Sequence, residues 1–288
     1  MGASVGRSLG LVALADAAIQ FACFAVAAAL QTEKFYDFSG SLTYIFCVLL
    51  SLRRGKAGPR QKVNSGLVVA WATRLGCFLL WRIIQDGRDR RFDNVRNRPS
   101  RFFIFWAIQA FWILVTALPV YVSNSKKPTE ADQEQGKVAA LEDAKEGEKQ
   151  RALLPAPARP LGWRDAVGWS LWAVGFVVQV LADYQKSCFK ADPRNNGRWI
   201  DVGLWRLAQH PNYFGEMSMW WGIFLSCSSE LRGVELASGI SPFFVTYLLL
   251  RVSGVPLLRR AGLKRWGHLP EYQEYLKKTP LLIPLPRS

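Results

Sequence analysis

Histidine is nearly missing from this chain, with 2 in 288 residues. The five cysteines, Cys23, Cys47, Cys77, Cys188 and Cys227, are scattered and form no CxxC pair. Neither a zinc site nor a disulfide framework is suggested, and no metal is expected. The cysteines read as small packing residues within apolar runs. No GxGxxG follows a strand, which excludes a Rossmann cofactor domain. Acid is the scarcer charge, 22 Asp and Glu against 37 Lys and Arg, for a net +15. No nucleic-acid-binding signature accompanies that excess, so a nucleic-acid partner is not expected. The basic residues gather in short loops between apolar segments, which favours a membrane. Gly6 stands where a myristoylation box carries Ser or Thr, and the end is no prenylation box, so attachment by lipid is not expected.

What is present is apolar. Half of the residues are hydrophobic and 12 are tryptophan. The reading is an all-α integral membrane protein with about seven transmembrane helices and a cofactor cavity in the C-terminal half. The expected spans are Leu9 to Leu30, then Ser41 to Leu52 with a start near Phe35, Ser65 to Ile84, Phe102 to Val122, Trp163 to Leu181, Pro211 to Ser228 and Ala237 to Val252. Residues 1–122 read as an N-terminal four-helix membrane half. Residues 123–160 are polar and read as a flexible linker, with a short helix around Val138 to Glu148. Residues 161–288 read as the second membrane half, ending in an amphipathic tail. The loop bias puts the C-terminus in the cytoplasm, although the basic loop at 53–62 argues the other way.

Within the membrane halves several polar residues stand out. Asp16 and Gln20 lie one turn apart in the first span, facing either neighbouring helices or a cavity. Arg74 in the third span calls for a partner or an anionic ligand. The loop Gln85 to Arg101, dense in Arg and Asp, is either a solvated interfacial loop or a phosphate-binding surface.

The most informative stretch is Gln209-His210-Pro211-Asn212-Tyr213-Phe214-Gly215-Glu216, running into Met217-Ser218-Met219-Trp220-Trp221-Gly222. Pro211 suits the first position of a helix. On that helix Asn212, Tyr213, Glu216 and Trp220 share one face. A carboxylate a turn and a half into an apolar helix is expensive unless it is paired or lines a polar cavity.

This stretch resembles the signature of the membrane steroid and sterol reductase superfamily, closest to the seven-span DUF1295 branch related to steroid 5-alpha-reductases. Phe35-Tyr36-Asp37, Thr73-Arg74-Leu75-Gly76, Ala182-Asp183, Phe189-Lys190-Ala191-Asp192-Pro193 and the tail from Lys264 to Pro280 agree with it. The resemblance implies NADPH in a cavity open to the cytosol and hydride transfer to an activated alkene, such as an enone, in a hydrophobic small molecule. It implies that Glu216 polarises the carbonyl or helps supply the proton, with the Tyr213 phenol beside it as a second catalytic group. Asp183, Arg198, His210 and Asn212 would hold the nucleotide, Arg251 stands where the family places an arginine near the cofactor, and Tyr272 and Tyr275 would lie close to it. Related sequences carry Arg before the His-Pro pair; here Gln209 stands there, with Arg206 available to compensate. An endoplasmic reticulum or related endomembrane is the family's usual location. Two alternatives share the pattern. Isoprenylcysteine carboxyl methyltransferases, which use S-adenosylmethionine, have a similar His-Pro-x-Tyr turn, and a non-catalytic lipid-binding protein could keep the fold without the chemistry.

Overall fold

The computed structural model describes residues 3–55, 57–126 and 160–284. The helix expected around Val138 to Glu148 lies outside the described residues, as does most of the expected linker.

The described residues are helical, with no strand among them. Five helical runs are long and apolar enough to cross a bilayer: Ser4–Ala29, Pro59–Asp86, Pro99–Thr116, Trp163–Ala191 and Gly233–Trp266. The two other expected spans form helices, α2 (Tyr36–Arg54) and α8 (Pro211–Ser228), yet neither qualifies on composition. Both carry polar side chains that are buried against neighbouring helices: Ser39, Ser41, Thr43 and Ser51 on α2, and Ser218 and Ser226 on α8. The chain divides into two compact units, residues Met1–Asp165 with Cys227–Ser238, and residues Ala166–Ser226 with Gly239–Ser288.

The first unit holds α1 (Ala3–Ala29), α2, α3 (Pro59–Asp86), α4 (Pro99–Thr116) and α5 (Leu118–Asn124). The fourth expected span breaks at Ala117, and Pro119 sits in the first turn of α5, where its missing N–H does no harm. An aromatic core of Tyr36, Phe92, Phe102 and Trp106 packs on Ala27. Asp89, Arg91, Asp93 and Arg96 of the loop at 85–101 are tied into ion pairs. Arg91 reaches Asp37 at 2.6 Å and also pairs with Asp89, while Arg96 reaches Glu33 at 2.9 Å and Asp93 at 3.3 Å. That pairing favours the interfacial-loop reading over a phosphate surface. Arg74 lies over the Phe78 ring, 5.2 Å from its centroid.

The expected boundaries move. Ser123, Asn124 and Ser125, assigned to the linker, are buried, and Asn124 donates to Ser51 at 2.9 Å and to Ser65 at 3.0 Å. The first unit also claims Asp165 and the segment from Cys227 to Ser238. A buried ionic network explains this. Arg60 makes a bidentate pair with Asp165 at 2.7 and 2.8 Å and lies 3.6 Å from Glu230. Gln61 and Ser123 also donate to the Glu230 carboxylate.

The second unit contains the rest of α6 (Trp163–Ala191), the single turn α7 (Leu204–Leu207), α8 to Ser226, α9 (Ile240–Tyr247), α10 (Val255–Trp266) and α11 (Pro270–Lys278). A π-helical turn, Leu248–Val252, follows α9. The helices α6 and α8 run antiparallel and touch backbone to backbone at two notches. A Cβ placed on Gly175 would lie 2.6 Å from the Gly215 carbonyl oxygen, and one on Gly168 2.5 Å from that of Gly222. Small residues allow such close approach between membrane helices.

Candidate functional site

The glycine notches fix the register of α6 against α8, and polar residues beyond them meet in order. Gln179 of α6 donates to Glu216 Oε2, and one turn further along Asn212 Nδ2 approaches Asp183 Oδ1 at 3.5 Å. Trp220, four residues along α8 and hence on the same face, donates its indole N–H to Glu216 Oε1 at 2.8 Å. Glu216 is therefore held by two N–H donors in one orientation.

The turn before α8 is built by the loop and tail around it. Gly203, with φ 58°, adopts the left-handed conformation that opens α7, and the Leu204 N–H donates to the Gln185 side chain at 2.9 Å. Trp205 donates to the Ala182 carbonyl at 2.9 Å, and Tyr275 donates to the Trp205 carbonyl at 2.9 Å. Gln209 donates from its amide to the carbonyls of Thr279 at 2.7 Å and Leu276 at 3.0 Å, and its backbone N–H donates to Pro280 at 2.8 Å. Gln209 thus fastens the tail against the His-Pro turn.

The His210 carbonyl accepts the N–H groups of Tyr213 and Phe214, so the residue starts α8 through its backbone. Its ring does something else. The imidazole stacks on Tyr213 with centroids 5.3 Å apart, is buried, and leaves Nδ1 without a hydrogen-bond partner. Burial pushes its pKa down to about 4, and the positive charges of Lys186 and Arg259 push the same way. Arg259 also acts on Tyr272, whose pKa is raised by burial against that influence. Tyr213 lies within electrostatic reach of Asp183. Two further polar atoms here are buried without hydrogen-bond partners, Asn212 Oδ1 and Trp199 Nε1; the Trp199 ring packs on Tyr272 at 5.1 Å.

The fold therefore brings together Asp183, His210, Asn212, Tyr213 and Glu216, with Tyr272 and Tyr275 in the tail that closes on them. Arg198, Arg206 and Arg251 have exposed side chains on a loop, a short helical turn and the π-helical turn. Lys186 and Arg259 were missed in the sequence. Lys186 could have been found three residues after Asp183 on the same helix, whereas Arg259 stands in a basic tail with nothing local to mark it. Gln179, the partner of Glu216, belongs to the same missed group. Among the described residues, no group of three or more His, Cys, Asp or Glu side chains could hold a metal ion.

Comparison with known proteins adds two matches. The model of the family described as "Protein of unknown function (DUF1295)" matches residues 23–141 and 150–279. Over 72 residues the chain is 31% identical to the probable O-methyltransferase ustE of Ustilaginoidea virens, a match that covers 25% of each chain. The chain thus spans a quarter of the length of that curated relative. No solved structure matches. The protein is an integral membrane member of the DUF1295 family, which is related to steroid 5-alpha-reductase-like membrane proteins.

Proposed function

We propose that the protein reduces an activated carbon–carbon double bond in a hydrophobic enone, such as a steroid or sterol, using NADPH. The observation that carries this reading is the His210 ring, buried and neutral with Nδ1 unsatisfied, under the influence of Lys186 and Arg259. A buried polar atom without a partner calls for an explanation, and a ligand atom supplies one here.

The residues fit the cofactor. Arg and Lys suit dinucleotide phosphates, Arg through bidentate hydrogen bonds. His210 Nδ1, Asn212 Oδ1 and Trp199 Nε1 offer a mixed set of donors and acceptors suited to ribose hydroxyls and amide groups. When bound, NADPH supplies the hydride for the beta carbon of the enone. This chain has to stabilise the negative charge that then builds on the carbonyl oxygen. In this reading Glu216, fixed by Gln179 and Trp220, must take up a proton to perform that task, because its two N–H donors favour the carboxylate. The Tyr213 hydroxyl on the same helix face is the second donor. Asp183 orients Asn212, and Arg198, Arg206 and Arg251, whose side chains reach the surface, are assigned to phosphate in this reading. The cytoplasmic placement of the C-terminus in an endomembrane belongs to the same reading.

A second reading is favoured by the match to a probable O-methyltransferase. S-adenosylmethionine carries a sulfonium cation, however, whereas NADPH is a polyanion, and the basic surroundings of His210 suit the anion. Titration of NADPH, NADH and S-adenosylmethionine against detergent-purified protein separates the two. Saturable NADPH binding, weakened about tenfold or more in Arg259→Ala as a charge-assisted hydrogen bond is lost, is the expected result. Glu216→Gln should then keep NADPH binding and lose enone reduction. Binding of S-adenosylmethionine alone would transfer the assignment to methyl transfer, and binding of neither by folded protein would leave a non-catalytic role.

A further inference from the structure

The first unit, which does not contain His210, buries a carboxylate without a partner. Asp16 lies in the middle of α1 with no exposed surface, and neither of its oxygens accepts a hydrogen bond. Among the described residues no cation pairs with it. An isolated buried carboxylate is expensive, so something neutralises it.

The packing of α1 against α2 shows what surrounds it. The helices run antiparallel, and two polar rungs join them. Cys47 meets the Val12 carbonyl, and Gln20 donates to Thr43 Oγ1 at 2.8 Å. Asp16 sits between those rungs, one turn from Val12 and one turn from Gln20. The Thr43 hydroxyl already donates its proton to the Ser39 carbonyl at 2.8 Å, so it can only accept from Gln20. That fixes the Gln20 amide with its NH2 toward Thr43, leaving Oε1 buried and unsatisfied. Tyr121 of α5, also fully buried, has no hydrogen-bond partner for its hydroxyl and lies within electrostatic reach of Asp16, as does Cys47. Two carboxylate oxygens and an amide oxygen are buried without a donor, and the Tyr121 hydroxyl beside them can both accept and donate.

We propose that Asp16, Gln20 and Tyr121 form a binding site for one small monovalent cation, sodium, inside the N-terminal unit. Oxygen donors of this kind suit hard cations. A single carboxylate balances a single positive charge, whereas a divalent ion would leave net charge buried. Gln20 and Tyr121 supply neutral oxygens in place of hydration water. The site shares no residue with those assigned to NADPH, so either assignment can fail without the other.

The test uses the purified full-length protein and sodium itself. Retention of radioactive sodium is measured at equilibrium, and thermal unfolding is followed as NaCl replaces choline chloride at constant ionic strength. A ligand that binds only the folded state raises the midpoint in proportion to the logarithm of its concentration above saturation. The expected result is about one sodium per chain and a midpoint that climbs by about 3 °C or more between about 5 and about 300 mM NaCl. Potassium should give a smaller rise. Asp16→Asn, nearly isosteric, should abolish both responses, and Tyr121→Phe should weaken them. Wild-type protein that retains no sodium and melts at the same temperature throughout would overturn the proposal, leaving Asp16 as a carboxyl neutralised by its own proton. That result needs no variant to fold.

Discussion

His210 shows how one side chain can link the fold to solution conditions. Burial and two nearby cations lower its pKa from 6.5 to about 4. The unfolded chain therefore binds a proton between those values that the folded chain refuses. Stability contributed by the neutral ring is complete above about pH 6.5 and is lost as pH falls toward 4, a drop of about 3 kcal/mol over the full range. His210→Gln removes this term while keeping a polar side chain. The midpoint of thermal unfolding in wild type should fall more steeply than in the variant between about pH 7 and about pH 4.5. Parallel pH profiles would mean that the ring is solvated in the native protein. His210, Asn212 and Glu216 were legible in the sequence because they crowd one turn and then repeat along one helical face. Lys186 and Arg259 were not, because single basic residues in a basic chain carry no local pattern; only the fold brings them to His210. Gln209 was singled out in the sequence for the arginine that the resemblance implies there; that its amide binds the tail carbonyls could be seen only in the fold.

Between residues and molecule stands the α6–α8 pair. Gly168 and Gly175 are seven residues apart, as are Gly215 and Gly222, so each helix presents two notches on one stripe. The notches put Gln179 against Glu216 and Asp183 against Asn212. A Cβ at Gly175 meets backbone oxygen, which cannot swing aside as a side chain can. Gly175→Ala should therefore force the helices apart at a cost of about 1–3 kcal/mol, the usual range for overpacking. Because the same shift separates Gln179 from Glu216, substrate turnover should fall more than NADPH binding. A variant as stable and as active as wild type would show that the helices slide freely at this notch. Lengths of apolar sequence announced these helices, but which glycine faces which is a property of the pairing. The same limit applies to α2, whose serines and threonines look unsuited to a membrane until the neighbours that cover them are in place.

For the whole molecule, the sequence suggested a cut into halves at the polar stretch after residue 122, and the packing divides the chain differently. Arg60, in the N-terminal half, is 3% exposed and depends on Asp165 and Glu230, both supplied from beyond that stretch. Those three charges are far apart in sequence and unremarkable singly, which is why composition placed the boundary at the linker. Removing a partner from a buried ion pair costs about 3–5 kcal/mol, because the remaining charge stays buried and uncompensated. Few domains can absorb that loss. A chain interrupted between Ser125 and Pro160 supplies the test. The N-terminal fragment expressed alone should be recovered poorly and aggregate in detergent, while coexpression with the C-terminal fragment should yield a complex that copurifies. Arg60→Met, which replaces the buried charge by a side chain of similar length, should improve recovery of the lone fragment and weaken its need for the partner. A lone fragment that is monodisperse and melts like the intact protein would return the boundary to the linker and reduce the Arg60 network to a local contact.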